Sequence, residues 1–167
     1  MVKRASVLML GLVILLAAGC GATMKTYVNP SAPWEVVQRV AVLPFTTPSE
    51  NPIRRQLITQ LFSGELRRST RLDVVEVPLS SPVGSAPSLG QVGKEYGVDA
   101  VFSGSVDETH GTVVHIRLQD AATGEMLWSG TYLLGVRAEF FSLKTQQQQF
   151  QRAFTILINE LIDNSIS

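Results

Sequence analysis

One cysteine, Cys20, stands in the chain, and it closes an apolar run at the start of the sequence. A lone thiol leaves no intramolecular disulfide to staple the fold. Lys3 and Arg4 open the sequence, Val7 to Ala18 is an unbroken small-and-apolar run, and Leu16-Ala17-Ala18-Gly19 leads into the cysteine. A charged start, a short apolar core and a small-residue cleavage site are the three parts of an export signal. The run is also well short of the roughly 20 residues that span a bilayer as a permanent helix. Residues 1–19 are therefore expected to be a signal peptide and not part of the fold.

The residues around Cys20 resemble the bacterial lipobox, in which the thiol is alkylated by a diacylglyceryl group and the new N-terminus is acylated. The resemblance implies covalent lipid on Cys20 as the membrane anchor, and no other cofactor is expected. Each buried methylene contributes about 0.8 kcal/mol, and one chain alone binds only marginally, so stable attachment needs two or more. The residue after the cysteine is Gly21 and not the aspartate that resembles an inner-membrane retention signal. In a bacterium with two membranes this favours the outer one, with the chain facing the periplasm. Loss of Lys3 and Arg4 with the signal leaves 12 of the 14 basic residues against 14 acidic ones. That balance, with export, argues against nucleic acid as a partner.

The remaining length suits one domain. Residues 20–35 show no periodicity and carry Pro30, Ser31 and Pro33, so they read as a flexible tether, with the domain at 36–167. From Cys20 to Arg39 such a tether would reach about 60 Å when extended. Arg39 to Phe45 (RVAVLPF) is apolar on both alternating faces, as in a strand buried on two sides. Asn51-Pro52 supplies a helix cap followed by proline at the first helical position. Leu57, Ile58, Leu61, Phe62 and Leu66 then recur at helical spacing. Leu72 to Val77 reads as a second strand, and Pro78 to Pro87 as a mobile loop. Ser88 to Gln91 has capping-box spacing, Leu89, Val92 and Tyr96 form a buried side, and Gly97 ends that short helix. Ala100 to Val106 and the alternating stretch around Val114, Ile116 and Leu118 read as strands joined by a turn at His110-Gly111. A turn from Asp120 to Gly124 leads into a strand from Met126 to about Val136, with Met126, Trp128, Tyr132 and Leu134 on one face. A closing helix from about Leu143 to Ile162 turns Phe150, Phe154, Leu157, Leu161 and Ile162 inward. The expected class is α/β (α+β): a mixed sheet of about five strands, in the order β-α-β-α-β-β-β-α, parallel in its first half and antiparallel in its later hairpins, with helices packed on it.

The lipobox, RVAVLPF, RLDVVEV, YGVDAVFSGSV and LQDAATGEMLWSG occur in that order. Together they resemble the superfamily that shares the fold of the TolB N-terminal domain, whose lipoprotein members include the curli-secretion protein CsgG and the penicillin-binding-protein activator LpoB. The resemblance spans roughly Val36 to Ile162. It implies a non-enzymatic protein that binds other envelope proteins or assembles into rings. A secretion pore is not expected, because membrane-crossing strands of about 9 to 11 residues are needed in pairs, and every such segment is committed to the core sheet.

The candidate sites are few. His110 and His115 lie near Asp107 and Glu108, but this falls short of the converging three or four ligands of a zinc site, so no metal is expected. Ser103 and Ser105 flank Gly104 without the G-x-S-x-G elbow, and small residues in a strand more often allow a helix to pack closely. No phosphate-cradling loop is present, and Cys20 is committed to lipid, so no catalytic residue is assigned and the chain is not expected to be an enzyme. Arg54, Arg55, Arg67, Arg68 and Arg71 concentrate around the first long helix. They form either a solvated face or a patch for an anionic partner such as lipid phosphates, peptidoglycan carboxylates or an acidic protein. Phe140 and Phe141 are expected in the core, with an exposed interface anchor as the alternative.

The sequence thus points to an outer-membrane lipoprotein whose periplasmic domain is an adaptor or assembly factor for an envelope complex serving peptidoglycan synthesis, secretion or appendage assembly. A binding protein for a small envelope ligand, a glycan fragment or lipid, and a ring-forming structural subunit are the alternatives. An envelope protein partner is expected, and an oligomer is open.

Overall fold

The computed structural model describes residues 23–49, 51–79, 88–134 and 142–165. Cys20, most of the 78–87 loop, the end of the fifth expected strand past Leu134, and Phe140 and Phe141 lie outside the described residues.

The chain order is β1 (Met24–Val28), a 3-10 turn (Trp34–Val36), β2 (Arg39–Val42), α1 (Pro52–Ser69), β3 (Asp73–Glu76), α2 (Leu89–Tyr96), β4 (Ala100–Asp107), β5 (Val113–Asp120), β6 (Met126–Leu133) and α3 (Leu143–Ser165). The six strands form one mixed sheet in the order β1-β6-β5-β4-β2-β3. β2 pairs in parallel with β3 and β4, and β4, β5, β6 and β1 pair antiparallel. The expected mixed α/β class holds, with one strand more than the five counted from sequence.

That added strand corrects the reading of residues 20–35 as a tether and of a domain starting at 36. Met24–Val28 is an edge strand of the sheet, running from Met24 opposite Tyr132 to Val28 opposite Trp128. Met24 and Val28 pack on the main core while Lys25 and Tyr27 point to the other face, a period of two too short to stand out beside the prolines. Asn29 then turns the chain. Its buried side chain donates to Glu125 Oε1 (2.7 Å) and the Met126 carbonyl (3.2 Å), and its Oδ1 accepts from the Ser31 N–H (2.9 Å). Trp34 folds back on the core beyond it.

The helix signals are realised as the sequence implied. Asn51 Oδ1 accepts from the Ile53 and Arg54 N–H groups, and Pro52 occupies the first turn. Ser88 and Gln91 close a reciprocal capping box, and Gly97 ends α2 in the left-handed region at φ +60°.

Two apolar layers result. On one face of the sheet α1 and α3 cover Val40, Val42, Phe102, Val106, Val114, Ile116, Leu118 and Trp128, with Phe45, Phe62 and Phe154 at the centre. Those three rings meet edge-on or tilted at 5.3–5.7 Å. On the other face α2 lays Val92 against Ala41, Val98, Val101 and Ala121. Gly93 makes this approach possible, since a Cβ there would sit 2.9 Å from Ala121 Cβ. The inward side of α1 differs from the purely apolar expectation: Leu57 and Leu61 are half-buried, whereas Thr59, Ser63 and Glu65 are buried. Both hydroxyls return to carbonyls one turn back, Thr59 to Arg55 and Ser63 to Thr59 (2.8 Å each), so burial leaves neither unsatisfied.

Candidate functional site

The five arginines do not form one patch. Arg54 and Arg67 are 13 residues apart on α1, about 20 Å at 1.5 Å per residue. At the N-terminal end Arg54 grips Glu108 with both Nη atoms, tying the helix to the β4–β5 turn, and only 21% and 10% of the two side chains is exposed. Arg55 donates from Nε to the Phe45 carbonyl at 3.0 Å. At the other end Arg67 bonds Glu76 Oε1 (2.8 Å) and reaches the Val74 carbonyl from Nε and Nη2 (3.4 and 3.2 Å). Arg68 pairs with the buried Glu65, which also accepts from Thr155 Oγ1 of α3 at 2.8 Å. Arg71 is exposed past the helix end. Four of the five are thus paired: Arg68 with Glu65 of its own helix, and Arg54, Arg55 and Arg67 with Glu108, Phe45, Val74 and Glu76, which tertiary structure brings to the helix.

The histidine region is equally dispersed. His115 lies on the sheet face away from α1 and α3, where its Nδ1 is 3.0 Å from Thr131 Oγ1 on β6. Ser105 stands opposite His115 in the register, but on β4, the strand on the other side. Asp107 accepts from the Thr109 hydroxyl (2.6 Å) and N–H (2.8 Å), which holds its carboxyl below the ordinary range. Among the described residues no group of three or more His, Cys, Asp or Glu side chains is placed to hold a metal ion. Ser103 and Ser105 flank Gly104 for a packing reason: a Cβ on Gly104 would lie 2.2 Å from Phe45 Cε1. The close neighbour is a single aromatic ring where the sequence suggested a helix.

What sequence reasoning missed is the second face of the antiparallel half. α2 covers that face over β2 and the adjoining end of β4. Beyond it, Tyr27, Ser129, Arg117 and Ser103 form one cross-strand row, and Lys25, Thr131, His115 and Ser105 the next. All are exposed or half-buried, with Tyr27 at 51%. An antiparallel sheet tolerates water on one face, and alternation of polar with apolar residues along β5 was the signal for it. The rows join two cations, one phenol, one imidazole and four aliphatic hydroxyls on one face of the sheet. The edge of β1, which pairs with no further strand among the described residues, borders them. Among the described residues no helix is long and apolar enough to cross a membrane.

No protein-family model matches the chain, and no curated protein matches it in sequence. Solved structures do share the fold. The PelC dodecamer from Paraburkholderia phytofirmans aligns with a TM-score of 0.58 at 17% identity, covering 81% of this chain and 96% of that one. The hypothetical protein CT253 from Chlamydia trachomatis gives 0.50 at 14% identity, over 77% and 98%. Lipoprotein GNA1162 from Neisseria meningitidis gives 0.49 at 17% identity, over 77% and 99%. The chain thus shares its fold with PelC and CT253, each of which it matches over nearly the whole of that protein's length.

Proposed function

We propose that the protein is an outer-membrane lipoprotein, anchored through lipid on Cys20, whose periplasmic domain is a non-enzymatic adaptor or assembly factor for an envelope complex. The observation that carries this reading is the distance from Cys20 to the first strand. Only Gly21, Ala22 and Thr23 separate the cysteine from Met24, so the anchor and the sheet are at most about 14 Å apart by chain length. A lipidated Cys20 would hold the domain against the headgroups, in place of a stand-off of about 60 Å on a free tether. A domain so placed presents a polar, hydroxyl-lined sheet face and a strand edge that is unpaired among the described residues, and both suit recognition of a partner. The superfamily of the TolB N-terminal domain, with its lipoprotein members, remains the family this proposal draws on.

A ring-forming structural role is the second reading, favoured by the fold shared with PelC, which was solved as a dodecamer. The test is capture of partners by the full-length, C-terminally tagged protein from gently cross-linked cells, with Cys20→Ala as the control. A small set of envelope proteins captured only by the anchored form is the expected result. Capture of nothing above background, with the protein still at the membrane, would overturn the adaptor reading in favour of a small envelope ligand, a glycan fragment or lipid.

A further inference from the structure

The two edges of the sheet are finished differently. Thr23 accepts from the Leu133 N–H (3.1 Å) and Asn29 donates to the Leu127 carbonyl (2.9 Å). Alternation along an antiparallel ladder then assigns the bonded pairs to Lys25 with Thr131 and Tyr27 with Ser129. Met24, Thr26 and Val28 consequently direct their N–H and C=O groups outward, and among the described residues nothing pairs with them. At the opposite edge the Asp73 and Val77 N–H groups bond β2, so Val74 and Glu76 face out. There the Val74 carbonyl is capped by the Arg67 guanidinium, which also holds the Glu76 side chain. Among the described residues the β3 edge thus has a carbonyl capped by a side chain, whereas the outward groups of β1 have none and offer a template for pairing with another strand.

We infer that the bare edge of β1 pairs antiparallel with β1 of a second copy of this chain about a two-fold axis through Thr26. The outward set, residues 24, 26 and 28, is symmetric about Thr26. That register alone uses all of it: Met24 meets Val28 of the second copy, Thr26 meets Thr26, and Val28 meets Met24. Each pair exchanges two hydrogen bonds. A lysine on an open edge ordinarily deters pairing. In this register Lys25 stands opposite Tyr27 of the second copy and clear of the other lysine, so each ammonium meets the half-exposed ring across the junction. An isologous contact of this kind closes at two copies. The pairing rests on the register of β1 and β6 and not on the lipid.

Cysteine cross-linking of the full-length lipoprotein in cells tests it, with diamide as the two-electron oxidant that takes up the two thiol hydrogens. Bonded pairs lie about 5.5 Å apart between Cα atoms, within disulfide range. Thr26→Cys should therefore give a reducible species of twice the mass. Lys25→Cys or Tyr27→Cys alone should give little, and the two co-expressed should cross-link to each other. Thr26→Pro removes an outward N–H and leaves the β1–β6 ladder its bonds. It should shift the detergent-solubilised protein from twofold to single mass while the far-UV circular dichroism and a cooperative melt are retained. Thr26→Cys remaining monomeric, equal cross-linking at all three positions, or a mass that Thr26→Pro does not lower would each overturn the inference.

Discussion

Gly104→Ala is a one-carbon change with a sign that the packing decides. In open space, replacing a glycine in a strand interior by alanine stabilises by about 0.5–1 kcal/mol, because the unfolded chain loses freedom. Here the added Cβ would lie 2.2, 2.3 and 2.6 Å from three carbons of the Phe45 ring. The ring would have to retreat by more than about 1 Å to reach an ordinary contact. It is fully buried, with Phe62 and Phe154 behind it at 5.5 and 5.7 Å, and Phe62 is itself backed by Phe102 at 5.3 Å. Overpacking of this kind costs about 1–3 kcal/mol, and the pinned ring places the site at the upper end. Subtracting the glycine gain leaves a net loss of about 2 kcal/mol, or about 4–8 °C in melting temperature for a chain of this size. Urea titration at constant m-value measures it. In a Phe45→Leu background the same glycine change should cost at least about 1 kcal/mol less, since the facing atoms are gone. A neutral or stabilised Gly104→Ala protein, or strict additivity with Phe45→Leu, would refute the argument that Gly104 exists to seat this ring.

Other substitutions probe separate parts of the account. Glu108→Gln should destabilise by about 1–3 kcal/mol by leaving the Arg54 guanidinium half-buried without its carboxylate, and Arg54→Lys should fail to restore the forked contact in thermal melts. Ser88→Ala should cost about 1 kcal/mol through the lost cap of α2, read by urea titration. The Asp120 carboxyl is held below its ordinary value of 3.8, first by the Thr123 N–H and further by the Thr123 hydroxyl and the Ala122 N–H. Its stabilising contribution is therefore complete above pH 3.8 and fades as pH falls through the lower folded value. Asp120→Asn should flatten the acid limb of a melting-temperature profile, and an unchanged limb would remove that turn from the account.

The parts of the fold that sequence made legible are those with local causes. Asn51-Pro52, Ser88 with Gln91, and Gly97 each satisfy or release backbone groups within one turn, so the helix ends could be read directly. Phe150, Phe154, Leu157 and Leu161 are buried as their spacing implied, on a helix long enough for the period to show. β1 was not legible, because five residues carry too little pattern and its partner β6 lies about 100 positions along the chain. The arginines show the same limit. Their clustering in sequence was real, but apart from Glu65, which pairs with Arg68 inside α1, the atoms that hold them belong to β3, the β4–β5 turn and the segment after β2. The candidate site suffered most, since a sheet face is a property of strand order and no single strand carries it.

The proposed function stands on a domain held at a membrane by lipid on Cys20. Intact mass spectrometry of the protein extracted from the membrane fraction decides it. The expected species is a mature chain that begins at Cys20 and is heavier than its polypeptide by a diacylglyceryl group and one acyl chain, with Cys20→Ala unmodified and lost from the membrane. A chain beginning elsewhere, or an unmodified Cys20 in a membrane-bound protein, would contradict it.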